Sequence, residues 1–284
     1  MNFIVTFETA STLYNDRMAE LLIGTSGYDY PEWKGVFYPE TLKRKDFLSY
    51  YACVFNALEV NSSFYSMPTA DRLRSFYERS EGRVQFSIKA NRLLTHEITA
   101  QWTNAATEFK SAVAPLAQKG KLCAVLFQFP QSFHYTDGNR IYLARLIEAF
   151  AGYPVLIEFR HAEWIRPSVF QGLAERGAGL VYCDMPKLAQ LPDGKALQSP
   201  FIGPNAYIRL HGRNAAAWYA SDATPNGSGR YRYDYSDAEL AEFVPVISKA
   251  RAEGKQVQVY FNNHPDGSGA KNAKRLKEMM GQEA

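Results

Sequence analysis

Cysteine is scarce in this chain. Its three residues, Cys53, Cys123 and Cys183, all fall in apolar stretches, and none stands in a Cys-x-x-Cys spacing. An odd count without a metal-type pattern excludes a disulfide framework and reads as free thiols, packed in a core, in a reducing compartment. A cytoplasmic location is therefore expected. Long apolar runs are missing too: no stretch approaches the ~20 residues of a membrane-spanning helix, so no membrane partner is expected. Neither sign of charge dominates, with 32 Lys+Arg against 29 Asp+Glu and a net +3. The pI of about 8.6 is only mildly basic, short of the concentrated stripe expected of a nucleic-acid binder. No Gly-x-Gly-x-x-Gly follows the first strand, which disfavours a dinucleotide fold, and no Gly-x-Ser-x-Gly or nucleotide loop occurs. The five histidines, His96, His134, His161, His211 and His264, show neither His-x-His nor His-Glu-x-x-His spacing.

What is present is alternation. Strands are expected at Leu21–Gly27, Ala57–Phe64, Gln85–Asn91, Ala124–Pro130, Val155–Arg160, Gly179–Asp184, Ala206–Gly212 and Gln256–Asn263. Amphipathic helices are expected at Leu42–Val54, Ala70–Arg79, Ala105–Gln118, Arg140–Phe150, Pro167–Arg176, Asp237–Arg251 and Ala270–Met280. Thr69 supplies an N-cap after Pro68. The Lys187–Pro204 gap carries Pro192, Pro200 and Pro204, so the sixth helix is short or missing. Strands alternating with helices imply parallel pairing through right-handed crossovers. Eight units in 284 residues favour one closed (β/α)8 TIM-type barrel at residues 21–284. Residues 1–20 read as an N-terminal extension without the basic n-region of a signal peptide. Met18 is a second candidate start.

The stretch Val155-Leu-Ile-Glu-Phe-Arg-His-Ala-Glu-Trp states the pattern most clearly. Val155, Ile157 and Phe159 occupy one face of a strand, and Glu158 and Arg160 the other. The same reading pairs Leu58 and Val60 against Glu59 and Asn61, and Phe86 and Ile88 against Ser87, Lys89 and Asn91. It sets Val125 and Phe127 against Gln128, and Ile208 and Leu210 against Tyr207, Arg209 and His211. In the sixth strand Val181 and Cys183 oppose Tyr182 and Asp184, and in the eighth Val257, Val259 and Phe261 oppose Gln258, Tyr260 and Asn262. If the apolar phase faces the helices, the polar phase lines the axis. Barrel interiors are ordinarily filled by branched aliphatics, so this lining points to a site at the C-terminal mouth.

Glu158, Lys89, Asp184 and His211 are the candidate acid/base groups there. Glu59, Asn61, Gln128, Arg160, His161, Arg209, Arg213, Tyr260, Asn262 and Asn263 are the candidate ligand contacts. The alternative is that balanced charges only satisfy one another as a buried ion network. Glu158→Gln separates the two: the site reading leaves stability unchanged or slightly improved and abolishes turnover or ligand binding, whereas the network reading costs stability. Lys89 is expected to be salt-bridged rather than to form a Schiff base. Glu158, Asp184 and His211 could hold a divalent ion in principle, but the cations at the same mouth oppose it. No metal or cofactor is expected. Gly267 and Gly269, before the last helix, are expected to present N–H groups to an anion, shared with Arg209 or Arg213. The long Arg213–Ser236 connection, with Trp218, Tyr219, Tyr231, Tyr233, Tyr235, Arg230 and Arg232, reads as a mobile lid or a stacking surface.

With these residues laid out, the sequence resembles the family called domain of unknown function 72, the YecE-like proteins. The resemblance runs from Leu22 to about Leu276. It is carried by Ile23-Gly-Thr-Ser-Gly-Tyr, Trp33 with Phe37-Tyr-Pro, Tyr50-Tyr-Ala, Glu59-Val-Asn-Ser-Ser-Phe-Tyr, Phe86-Ser-Ile-Lys-Ala, Leu126-Phe-Gln-Phe-Pro, Glu158-Phe-Arg-His-Ala-Glu-Trp, Tyr207-Ile-Arg-Leu-His-Gly-Arg and Phe261-Asn-Asn. It implies a TIM-type barrel and no particular reaction. The expected function is an enzyme acting on a small anionic ligand, phosphorylated, sugar-like or nucleic-acid-derived. A nucleic-acid-binding or repair barrel and a non-catalytic metabolite-binding protein are the alternatives. No oligomeric state follows from the sequence.

Overall fold

The computed structural model describes residues 20–193, 201–220 and 229–282. The expected N-terminal extension lies outside these residues apart from Glu20. Strands β1 (Leu21–Ser26), β2 (Ala57–Val60), β3 (Gln85–Lys89), β4 (Leu122–Gln128), β5 (Val155–Glu158), β6 (Gly179–Asp184), β7 (Asn205–Leu210) and β8 (Gln256–Phe261) close in sequence order into one barrel. Every neighbouring pair is parallel, and β8 returns to β1 with Leu21 opposite Val257 and Thr25 opposite Phe261.

The helices are α1 (Phe47–Val54), α2 (Ser62–Tyr65), α3 (Ala70–Arg79), α4 (Trp102–Gln118), α5 (Asp137–Ala149), α6 (Pro167–Glu175), α7 (Asp237–Ala241), α8 (Phe243–Ala252) and α9 (Ser268–Met279). Thr69 caps α3 by accepting from the Arg72 amide. The single helix expected over Asp237–Arg251 is instead two, α7 and α8. Pro245 near the start of α8 has no N–H to return to the preceding turn, so the helix is interrupted there. β2 is shorter than expected because the chain turns after Val60. The Ser63 hydroxyl, donating to Val60 O at 2.9 Å and Lys89 O at 2.6 Å, ties that turn to β3. Among the described residues between β6 and β7 there is no α-helix.

The strand hydrophobes divide as alternation requires. Leu58, Val60, Phe86, Ile88, Val125, Phe127, Ile157, Ile208, Leu210, Val259 and Phe261 join the large outer core beneath the helices. Leu22, Ala57, Ala124, Leu126, Leu156, Tyr207 and Tyr260 form a smaller cluster along the axis. Gly24 permits the close approach of β1 and β2, since a Cβ there would lie 1.9 Å from the Ala57 carbonyl oxygen.

Candidate functional site at the barrel mouth

The interior is apolar at its base and polar towards the C-terminal ends of the strands. Tyr207 from β7 reaches across the axis to Glu59 at the end of β2, donating to Oε2 at 2.7 Å, and lies 2.6 Å from the Ser87 hydroxyl. Ser26 Oγ and Arg209 Nη2 each donate to Glu59 Oε1 at 2.6 Å. Arg209 Nη1 donates to Glu158 Oε2 at 2.6 Å, and Arg160 Nε to Glu158 Oε1 at 2.5 Å. Acid and guanidinium thus alternate, Glu59–Arg209–Glu158–Arg160, along one buried chain. Burial alone would raise the Glu158 pKa, but Arg160 and Arg209 outweigh it and hold the carboxyl well below its ordinary range. The buried-network reading therefore accounts for these four groups.

His211 sits at the upper edge of that chain. Its Nε2 is 3.1 Å from Arg160 Nη2, and its Nδ1 is 3.0 Å from Asn262 Nδ2. Burial first, and Arg160 second, depress its pKa to about 3, so the imidazole is neutral at physiological pH.

Lys89 departs from expectation. No carboxylate lies within salt-bridge distance of it among the described residues. Its ammonium donates to Gln128 Oε1 at 2.8 Å and stands 4.3 Å from the centre of the Phe64 ring. Gln128 is itself held by its Nε2, which donates to Phe129 O at 2.7 Å. The acids that might have paired with Lys89 are occupied by arginines. Burial, followed by the positive field of Arg209, lowers the amine to about 7. Asn61, on the turn after β2, has a buried Oδ1 without a hydrogen-bond partner.

Several expected members lie elsewhere. Asp184 belongs to the outer side of the barrel: Val181 and Cys183 of β6 face the axis, while Tyr182 packs with the outer core. Asp184 accepts from Arg213 Nε at 2.9 Å and from Tyr235 OH at 2.7 Å, and Arg213 continues to Glu239 and Glu242. His161, in the loop after β5, is engaged by that loop instead, its Nδ1 receiving the Glu163 amide at 3.3 Å. Tyr260 lies within the interior cluster beside Tyr207, with ring centres 5.0 Å apart.

The glycine turn expected to cradle an anion packs closely against its neighbours. A Cβ on Gly267 would meet Val36 at 2.7 Å, Gly269 packs against Asn263, and Asn263 Nδ2 is spent on Tyr233 O and Asn272 Oδ1. Arg209 and Arg213, expected to share that anion, are engaged by acids instead, Arg209 by Glu59 and Glu158 and Arg213 by Asp184.

Other residues complete the mouth. Trp218 and Tyr231, from the connection after β7, lie above His211 with ring centres 6.4 and 6.0 Å away, and Arg160 faces the Trp218 ring at 5.9 Å. The centre of that connection, including Pro225, Asn226 and Gly227, lies outside the described residues, and with it much of the expected mobile lid. Cys183 enters the axial face with Glu158 and His211, their ligand atoms all within 4.8 Å of one another. That trio fits a metal poorly. Two guanidinium groups already occupy the carboxylate, and burial, reinforced by Glu158, raises the thiol well above its ordinary pKa.

The comparisons with known proteins agree with this architecture. The model of the family described as "Protein of unknown function DUF72" matches residues 22–284. The chain is 26% identical over 270 residues to the UPF0759 protein YunF of Bacillus subtilis (strain 168), covering 92% of this chain and 94% of that protein. It superposes on a crystal structure of a DUF72 family protein from Thermotoga maritima with a TM-score of 0.82 and 30% identity, covering 93% of this chain and 100% of that one. A DUF72 family protein from Enterococcus faecalis gives a TM-score of 0.80 and 27% identity, over 93% of this chain and 97% of that one. The chain belongs to the DUF72 family and has its (β/α)8 barrel.

Proposed function

We propose that this protein is an enzyme that carries out acid/base chemistry on a small anionic ligand at the C-terminal mouth of the barrel, with Lys89 as the group that takes and returns the proton. The observation that carries the reading is the setting of Lys89. Its amine is held by a neutral amide rather than a carboxylate, and burial, then the field of Arg209, brings it to about 7. A base works best when its pKa lies near the working pH. The charges at the mouth support an anionic ligand. Among the described residues Arg209 and Arg160 balance Glu59 and Glu158, so the mouth gains one positive charge when Lys89 takes up its proton, and an anionic ligand suits that protonated state. Arg160 and Lys89 would receive the anionic group, while Asn61 Oδ1 and Asn262 offer polar contacts. Trp218 and Tyr231 provide aromatic surface suited to a sugar ring or base.

A nucleic-acid polymer is the weaker fit, because cations around the connection after β7 face acids. Arg232 pairs with Asp266, Lys271 with Asp234, and Arg275 with Asp237. The experiment is to label the protein at pH 7 with a limiting amine reagent, with and without panels of sugar phosphates and small carboxylates. Lys89 should be modified ahead of surface lysines and protected by a subset of the anions, and Lys89→Met should lose their binding. Uniform labelling of all lysines with no anion protection would overturn the proposal.

A further inference from the structure

A second cluster lies in the loops after β4 and β5. His134 Nδ1 is 3.3 Å, and His161 Nδ1 3.7 Å, from the same oxygen, Oε2 of Glu163. All three ligand atoms lie within 4.8 Å of one another. Metal–ligand bonds of about 2.0–2.1 Å at tetrahedral angles place ligand atoms roughly 3.3–3.4 Å apart, close to these separations. Two imidazoles and a carboxylate are a donor set suited to zinc and its divalent neighbours.

The scaffold holds the cluster in place. Trp164 Nε1 donates to Phe133 O at 2.6 Å, and the two rings stack at 5.2 Å with 6° between their planes. His134 follows Phe133 and Glu163 precedes Trp164, so this pair ties the two loops together at the cluster. The Tyr135 amide donates to Glu163 Oε2 at 3.1 Å, orienting the carboxylate. Its electrostatics differ from those of Glu158, Cys183 and His211. Among the described residues no Lys or Arg lies within salt-bridge distance of Glu163. Arg166 Nε donates to the Glu163 carbonyl oxygen instead, at 2.6 Å. The side chains of His134 and Glu163 are 55% and 42% exposed, so an ion can enter from solvent.

We propose that His134, His161 and Glu163 bind one divalent transition-metal ion, of the zinc type, with a fourth position open to water or an anion. The ion would replace the long 3.3 Å contact between His161 Nδ1 and the Glu163 amide. This inference does not depend on the role of Lys89. The test strips the full chain with a chelator, then titrates it with Co(II) by absorbance and with Zn(II) by calorimetry. One equivalent should bind and give the visible bands of tetrahedral cobalt, and Zn(II) should raise the melting temperature. His134→Ala and Glu163→Gln should each weaken binding by at least the about 10- to 100-fold seen when outer-shell partners of metal sites are lost. Both should also abolish the melting shift, whereas His96→Ala should leave both intact. Because the substituted side chains are exposed, the metal-free variants should melt with the wild type. Absence of one-equivalent binding in the wild type would overturn the proposal, as would wild-type affinity in both variants. Should either variant fold poorly, the wild-type stoichiometry and cobalt bands alone would decide the matter.

Discussion

Arg209 of β7 donates to Glu158 of β5 past the intervening strand β6, Nη1 to Oε2 at 2.6 Å, with the two side chains 2% and 0% exposed. Removing one member leaves the other charged and buried. Glu158→Gln strips the counter-charge from Arg209 and Arg160 together, so it should lower unfolding free energy by ~3–5 kcal/mol, the typical cost of breaking a buried pair. Urea denaturation measures this. Unchanged stability, the outcome expected if Glu158 served only a ligand, would contradict the ion chain described above.

Lys89→Met should act in the opposite direction. The folded-state pKa is about 7 against 10.5 for the free side chain. Between those values the unfolded chain holds a proton that the folded protein lacks, so wild-type stability should gain up to about 1.4 kcal/mol per pH unit from this group as pH rises from 7 to 10.5. The Met variant lacks that gain. It should be more stable than wild type at pH 7, with the advantage shrinking towards pH 10.5. Parallel stability curves for the two proteins would contradict the prediction.

His211 supplies a second pH signature. With its folded pKa depressed to about 3 from 6.5, the unfolded chain takes up a proton first on acidification. Its contribution to stability should be lost progressively as pH falls from 6.5 towards 3. The imidazole resonances should show no titration above about pH 4, a value resting on the same burial. A midpoint near 6.5 would show the ring to be freely hydrated.

Asp184→Asn should leave the mouth untouched. Its partners, Arg213 and Tyr235, lie on the outer side of β6, so the substitution should cost roughly 1–3 kcal/mol without altering Lys89 reactivity. A change in that reactivity would place Asp184 back among the mouth residues.

The barrel was legible because Val155, Ile157 and Phe159 alternate with Glu158 and Arg160, and because seven other stretches repeat the strand-then-helix rhythm. β6 misled for a physical reason. Leu180 and Tyr182 on its outer face pack in the outer core, but Asp184, next in the same phase at the strand's end, pairs with Arg213 and Tyr235. Cys183, read as helix-facing, is axial. Which acid meets which base was equally hidden: the guanidinium of Arg209 takes both Glu59 and Glu158, and Lys89 is left with an amide. The Gly267–Gly269 turn looked open, but Val36, distant in sequence, packs against Gly267 so closely that a Cβ there would lie 2.7 Å from it. His134 lies on a different loop from His161 and Glu163, so local spacing could not bring all three together.

The central claim rests on the proton affinity of one amine. Site-resolved mass spectrometry of Lys89 modification, measured as a rate against pH, tests it directly. The account predicts a midpoint of about 7, well below that of the exposed lysines, and a further fall when Gln128→Leu removes the acceptor that favours the charged form. A midpoint at the ordinary lysine value of about 10.4 would mean that Lys89 is a permanently charged strut and that the proposed chemistry is wrong.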